Sequence, residues 1–153
     1  MAQDVLIKAD VTGLYDIQID GADFASAEGF ETAIPVSYFT DARASAVQVP
    51  DAQNRRGWVG NIITIDQDRE LGGLLWLLDQ ARNTEDTRNF AKAYAEASLQ
   101  YMLTDSITKS ILITVEKNGD TGDTITTYIT NIDNTVQGYV TLWRSTDFTR
   151  IIP

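Results

Sequence analysis

The sequence predicts an α+β fold: helices packed on a mainly antiparallel sheet, with a C-terminal three-stranded meander. Three observations carry this. Residues 84–104 place apolar side chains at helical spacing over nearly six turns' worth of chain, about 31 Å at 1.5 Å per residue. Residues 110–144 alternate apolar and polar positions in three runs separated by turn signals. The chain has 153 residues, 43% apolar, 22% charged and with 3 Pro. That suits one domain with at most a short appendage, and a folded state that buries roughly 69% of the unfolded surface.

Residues 1–31 hold seven acids (Asp4, Asp10, Asp16, Asp20, Asp23, Glu28 and Glu31) against one base, Lys8. Val5-Leu6-Ile7 reads as a strand. So does Leu14-Tyr15-Asp16-Ile17-Gln18-Ile19-Asp20, where Tyr15, Ile17 and Ile19 alternate with polar positions. Asp20-Gly21 closes it with a turn. Residues 1–30 are therefore an acidic N-terminal β segment, set apart from an α+β domain over residues 31–153.

Residues 30–42 predict a short helix, because Phe30, Ile34, Tyr38 and Ala42 recur at four-residue steps. Pro35 fits only in its first turn; an extended Ile34-Pro35-Val36 is the alternative. Residues 43–68 form a long connection with Pro50, Asn54, Gly57, Gly60 and Asn61. Loops of this length are usually functional or mobile. It holds Arg55-Arg56-Gly57-Trp58 beside a short strand expected at Ile62-Ile63-Thr64-Ile65.

Residues 69–81 predict a Leu-rich helix with Trp76, weakened by Gly72-Gly73 near its start. Residues 84–104 predict the longest helix. Thr84 is its N-cap, and Glu85 and Asp86 suit the positive end of the dipole. Phe90, Tyr94, Ala97 and Tyr101 lie along one side, and Ala91, Ala95, Leu99 and Met102 widen the stripe. The short Arg82-Asn83 link predicts an antiparallel pair of these two helices. Ser110–Lys117, Thr124–Thr130 and Val136–Arg144 then read as the strands of the meander, with a turn over residues 118–123.

Composition excludes several chemistries. There are no cysteines and no histidines, so no disulfide, thiolate nucleophile, Ser-His-Asp triad or Cys-type zinc site is possible. The net charge of −10 disfavours phosphate neutralisation, hence nucleic acid, and anionic membrane surfaces. The longest apolar run, counting Gly, is Leu71 to Leu78, too short for a bilayer. Met1-Ala2-Gln3-Asp4 has neither the basic nor the apolar region of a signal peptide. There is no phosphate-binding loop, dinucleotide fingerprint or RNA-binding aromatic motif, and no cofactor is expected.

Two acidic constellations fail on inspection. Asp16, Gln18, Asp20 and Gly21 match positions 1, 3, 5 and 6 of an EF-hand loop, but position 12 is Ala27 rather than Glu. Glu70, Glu96 and Asp105 are candidates for a glycosidase-like carboxylate pair. None stands out among 22 acids.

Two stretches point instead to protein contacts. Arg and Trp are the types enriched at interface hot spots, which singles out Arg55, Arg56, Gly57 and Trp58, with Asp41 and Arg43 placed to pin the loop by ion pairing. The meander leaves two sheet edges, which expose unpaired N–H and C=O groups. Lys109, Glu116 and Lys117 guard the first strand. The third, with Val136, Tyr139, Val140, Leu142 and Trp143, has no charge between Val136 and Trp143 and is the expected strand-accepting edge.

The strings also occur in a telling order. They are Thr32-Ala33, Phe39-Thr40-Asp41-Ala42-Arg43-Ala44, Arg55-Arg56-Gly57-Trp58-Val59-Gly60-Asn61, and Glu70-Leu71-Gly72-Gly73-Leu74-Leu75-Trp76-Leu77-Leu78. Glu85 to Met102, with an Ala-Tyr-Ala-Glu-Ala run, and Leu142-Trp143 follow. This series resembles the short baseplate wedge proteins of Mu-type contractile-tailed phages, a family related to the sheath-initiator wedge proteins of T-even phages that are often mislabelled lysozyme-like. Val59 stands where a second aromatic is expected, Gly73 where Ser is expected, and the Glu-Pro-Arg signature of the T-even branch is absent.

The resemblance implies a structural, non-enzymatic role. Several copies would surround the tail axis, bind tail tube or hub proteins and the larger baseplate wedge proteins, and offer a sheet edge to the tail sheath protein. It implies a virion component assembled in the host cytoplasm, with no cofactor. A lysozyme-like cell-wall hydrolase and a stand-alone acidic inhibitor or adaptor are the competing readings.

Overall fold

The computed structural model describes residues 4–9, 15–27, 29–63, 70–119 and 122–143. Leu14, Thr64-Ile65, Asp120-Thr121 and Arg144, which the sequence places in strands or turns, lie outside the described residues.

The N-terminal segment folds into short strands: β1 (Asp4–Val5), β2 (Ile7–Ala9), β3 (Tyr15–Ile17), β4 (Ile19–Asp20), β5 (Asp23–Phe24) and β6 (Ser26–Ala27). They pair antiparallel as β1 with β6, β2 with β3, and β4 with β5. The three ladders meet at a main-chain junction. Leu6 N–H donates to Ala25 O at 2.7 Å, Ala25 N–H to Gln18 O at 2.9 Å, and Gln18 N–H to Leu6 O at 3.0 Å. The turn at Asp20-Gly21 is present, and the strands after it, β5 and β6, are additional to those read from the sequence. The putative calcium-loop residues Asp16 and Asp20 sit in β3 and β4, strand instead of loop.

Helix α1 (Ala33–Phe39) is shorter than expected and ends before Ala42. Pro35 is its third residue, where no intrahelical N–H is needed. Ile34 and Tyr38 are buried one turn apart, as the spacing requires. A single turn of 3₁₀ helix covers Ala52–Asn54.

Two expectations in the middle of the chain are corrected. Ile62-Ile63 is not strand: it closes the short helix α2 (Gly60–Ile63). Residues 69–81 do not form an α-helix, so there is no antiparallel helix pair. Only Leu75–Leu78 is helical, as one 3₁₀ turn. The cause lies upstream. Gly72 has φ +119° and its Cα faces the Thr40 carbonyl, a conformation and a closeness that exclude side chains and helix alike. Gly73 then forms a parallel bridge with Asp41, with Gly73 N–H to Thr40 O at 2.9 Å and Ala42 N–H to Gly73 O at 3.0 Å.

Helix α3 (Glu85–Thr104) matches its predicted start. The Thr84 side chain accepts from Thr87 N–H, and Glu85 and Asp86 occupy the first turn. Its buried face is Ala91, Ala95, Ser98, Leu99 and Met102, so small residues admit close packing. The aromatic row is rotated to the flank: Tyr94 and Tyr101 are half-buried, and Phe90 is exposed.

The meander is as expected: β7 (Ser110–Asn118), β8 (Gly122–Thr130) and β9 (Val136–Trp143), antiparallel in that order. One face carries Ile111, Ile113, Val115, Ile125, Thr127, Ile129, Tyr139, Thr141 and Trp143 toward α1, α3 and the 3₁₀ turn. The core lies between these layers. Tyr38 and Thr127 meet inside it through their hydroxyls at 2.6 Å. At the other end of α3, Arg88 Nη1 lies 3.8 Å from the fully buried Asp123 carboxylate at the start of β8.

Candidate functional site

Two surfaces gather the residues singled out above. The first is the loop from Asp41 to Ile63. Its arginines are turned inward along the loop itself. Arg55 donates from Nε to Val49 O at 2.8 Å and from Nη2 to Pro50 O at 2.7 Å. Arg43 donates to Arg56 O at 3.1 Å and Ala52 O at 3.3 Å, so it pins the loop through carbonyls and not, as expected, by an ion pair. Gly57 packs on Arg43, where an added Cβ would lie 3.1 Å from the Arg43 Cβ.

Arg56 is the keystone of this loop. Its Nη1 lies 3.3 Å from both Asp41 and Asp79, and its guanidinium sits 4.7 Å from the Trp76 ring centroid. It holds this place with φ +48°, a region that non-glycine residues seldom occupy. Burial pushes the Asp79 carboxyl above its ordinary range, against the pull of Arg56, and Asp41 adds to the rise. Trp76 in turn donates its indole N–H to Ala42 O at 2.9 Å. Asn61 closes the far end with paired bonds to the Leu71 main chain, both 2.9 Å.

What this framework presents outward is apolar. Trp58 is 43% exposed, Val59 67%, Ile62 73% and Ile63 80%. Trp58 folds its ring directly over Gly60, where no Cβ has room. Trp58 was legible as a contact residue. Val59, Ile62 and Ile63 were not, because the run was read as a strand. Helical spacing of Trp58 with Ile62 and Val59 with Ile63 was the available signal.

The second surface is β9. Val136, Val140 and Leu142 point away from the core and are exposed, Val140 at 68%. They share the outer sheet face with Leu112 and Tyr128. Tyr139 and Trp143 point the other way. Trp143 is 4% exposed and belongs to the core; the Tyr139 hydroxyl accepts from Phe30 N–H at 3.0 Å and donates to Gln137 Oε1 at 3.0 Å. The N-terminal segment lies beside the edge of β9. A cleft of about 360 Å³ separates Leu6, Ile7, Lys8 and Tyr15 from the main chain of residues 138–142.

The acidic candidates do not converge. Glu96 is paired with Lys92 one helical turn away at 3.8 Å. Asp105 caps the C-terminus of α3, roughly 13 Å farther along the axis. That exceeds the separations of about 5–9.5 Å used by paired glycosidase carboxylates. Glu70 lies in the exposed stretch before the 3₁₀ turn. Among the described residues no group of three or more acidic side chains is placed to hold a metal ion, and no helix is long and apolar enough to cross a membrane.

Comparison with known proteins bears on these surfaces. A family described as "Phage protein GP46" matches residues 30–137. The chain is 36% identical over 107 residues to the baseplate protein gp46 of Escherichia phage Mu, covering 69% of this chain and 72% of that protein. It is 28% identical over 86 residues to the Mu-like prophage FluMu protein gp46 of Haemophilus influenzae, covering 56% of each.

Proposed function

Since the chain belongs to the GP46 family of phage proteins, we propose that it is a structural component of a contractile tail baseplate wedge, linking hub and larger wedge proteins and initiating sheath assembly by accepting sheath strands. The observation that carries this reading is the apolar tip Trp58–Ile63 on a loop fixed by Arg43, Arg55 and Arg56. A rigid, desolvation-ready patch loses little conformational entropy on docking, which is what a permanent assembly contact needs. The occupant is one of the larger wedge proteins.

The second contact is the edge of β9, to which a sheath subunit adds an extended arm by main-chain pairing. Residues 1–30 and 31–153 act as separate units in this scheme. The second carries the wedge contacts. The protein works in the virion, after assembly in the host cytoplasm, in several copies around the tail axis and without catalysis.

Deleting the gene from its phage tests the reading. Tail tubes lacking organised baseplates and sheath are expected. Complete, contractile tails in the deletion, or cell-wall hydrolysis by the purified protein that one Glu or Asp substitution abolishes, would overturn it.

A further inference from the structure

We propose that the N-terminal segment, residues 4–27, is a displaceable cover on the open edge of β9 that delays strand addition until an incoming strand takes its place. The proposal rests on the reading of β9 as the strand-accepting edge.

The geometry is that of a lid and not of a fourth strand. β9 shares its ladder with β8, and the N-terminal ladders are separate two-stranded sheets among the described residues. Yet the segment reaches β9 at several points. The phenol of Tyr15 hydrogen-bonds the Leu142 N–H and the Thr141 side chain, and burial raises its pKa. Phe30 N–H donates to the Tyr139 hydroxyl, and the two rings meet edge-on at 6.5 Å. Thr32 ties the base of the cover down: its hydroxyl accepts from Ile7 N–H at 3.2 Å and donates to Val5 O at 2.6 Å.

N–H groups alternate sides along a strand. Because the Leu142 N–H faces Tyr15, those of Val136, Gly138 and Val140 face the same open edge. Gly138 and Val140 line the cleft directly. The cover therefore engages one of four edge donors through a side chain and shields two others by position. Such a hold is weak enough to be exchanged for a full main-chain ladder. The charge of the segment, seven acids against one base in residues 1–31, adds a second effect. It sets like charges between copies and opposes edge-to-edge pairing of the protein with itself.

The test uses the full chain with Tyr15→Ala and Tyr15→Phe. The second keeps the ring against Phe39, 5.1 Å away, and loses only the hydroxyl, so it covers the case in which the first fails to fold. Amide exchange is followed residue by residue, and purified sheath protein is seeded with each form. The Leu142 amide should exchange about tenfold faster in the variants while Thr127 and Ile129 in β8 keep their protection. The lag before sheath growth should shorten. Unchanged Leu142 exchange in both variants overturns the cover. Faster exchange with an unchanged lag overturns the gate. If neither wild type nor variants seed sheath, the strand-accepting reading falls and the gate falls with it, whatever the exchange shows.

Discussion

The Arg56 guanidinium lies 4.7 Å from the Trp76 ring centroid while reaching Asp41 and Asp79 at 3.3 Å each. Three segments remote in sequence are joined by one planar cation. Their junction sets the direction in which Trp58, two residues on, faces solvent.

Arg56→Ala should therefore loosen the loop more than it weakens the fold. The ion pairs are partly exposed and the stacking is modest, so the expected loss is about 1 kcal/mol. Proteolysis within residues 43–63 should accelerate well beyond that of the rest of the chain. Arg56→Lys should behave similarly, since an ammonium cannot stack and bridge both carboxylates as a guanidinium does. Equal protease resistance in all three proteins would remove Arg56 from the account.

Trp58→Ala and Trp143→Ala should separate sharply in thermal or urea melts. Trp58 is 43% exposed and packs on its own loop, so truncation should cost within about 1 kcal/mol. Trp143 is 4% exposed in the core, and its truncation should cost about 3–5 kcal/mol. The assembly defect should run the other way, with folded Trp58→Ala failing to enter baseplates.

The buried hydroxyl pair of Tyr38 and Thr127 should show strong coupling. Tyr38→Phe strands the Thr127 hydroxyl in the core, at a cost of about 1–3 kcal/mol. Adding Thr127→Val should recover much of it, because neither partner is then left unsatisfied. Additive losses in the double variant would contradict the pairing.

The same pair predicts an alkaline weakness. Burial, the leading cause for both Tyr38 and Tyr15, raises their phenol pKa values above the ordinary 10.0. Above pH 10.0 the unfolded chain loses these protons first, so the folded state binds more protons and stability falls as pH rises. The contribution is full below that pH. Tyr38→Phe should flatten the decline in stability measured by urea melts on the alkaline side.

Much of this architecture was readable because it is local. Thr84 caps α3 through a bond three residues away, and the Ile111–Ile113–Val115 alternation needs only the pleat. The stretch 69–81 was misread because its Leu content favours helix while Gly72, facing Thr40, and the bridge from Gly73 to Asp41 hold it extended. The candidate site divides in the same way. Trp58 announced itself by residue type. The inward use of Arg43 and Arg55 did not, because their partners are main-chain carbonyls, which no sequence pattern marks.

The central claim is that the Trp58–Ile63 tip and the outer face of β9 are assembly surfaces. Hydroxyl-radical footprinting of the free protein and of purified tails tests it directly, since oxidation follows side-chain exposure. The account predicts strong labelling of Trp58, Ile63, Val140 and Leu142 in the free protein and protection of all four in the tail, with exposed Phe90 on α3 as internal reference. Equal labelling of these residues in both states would contradict it.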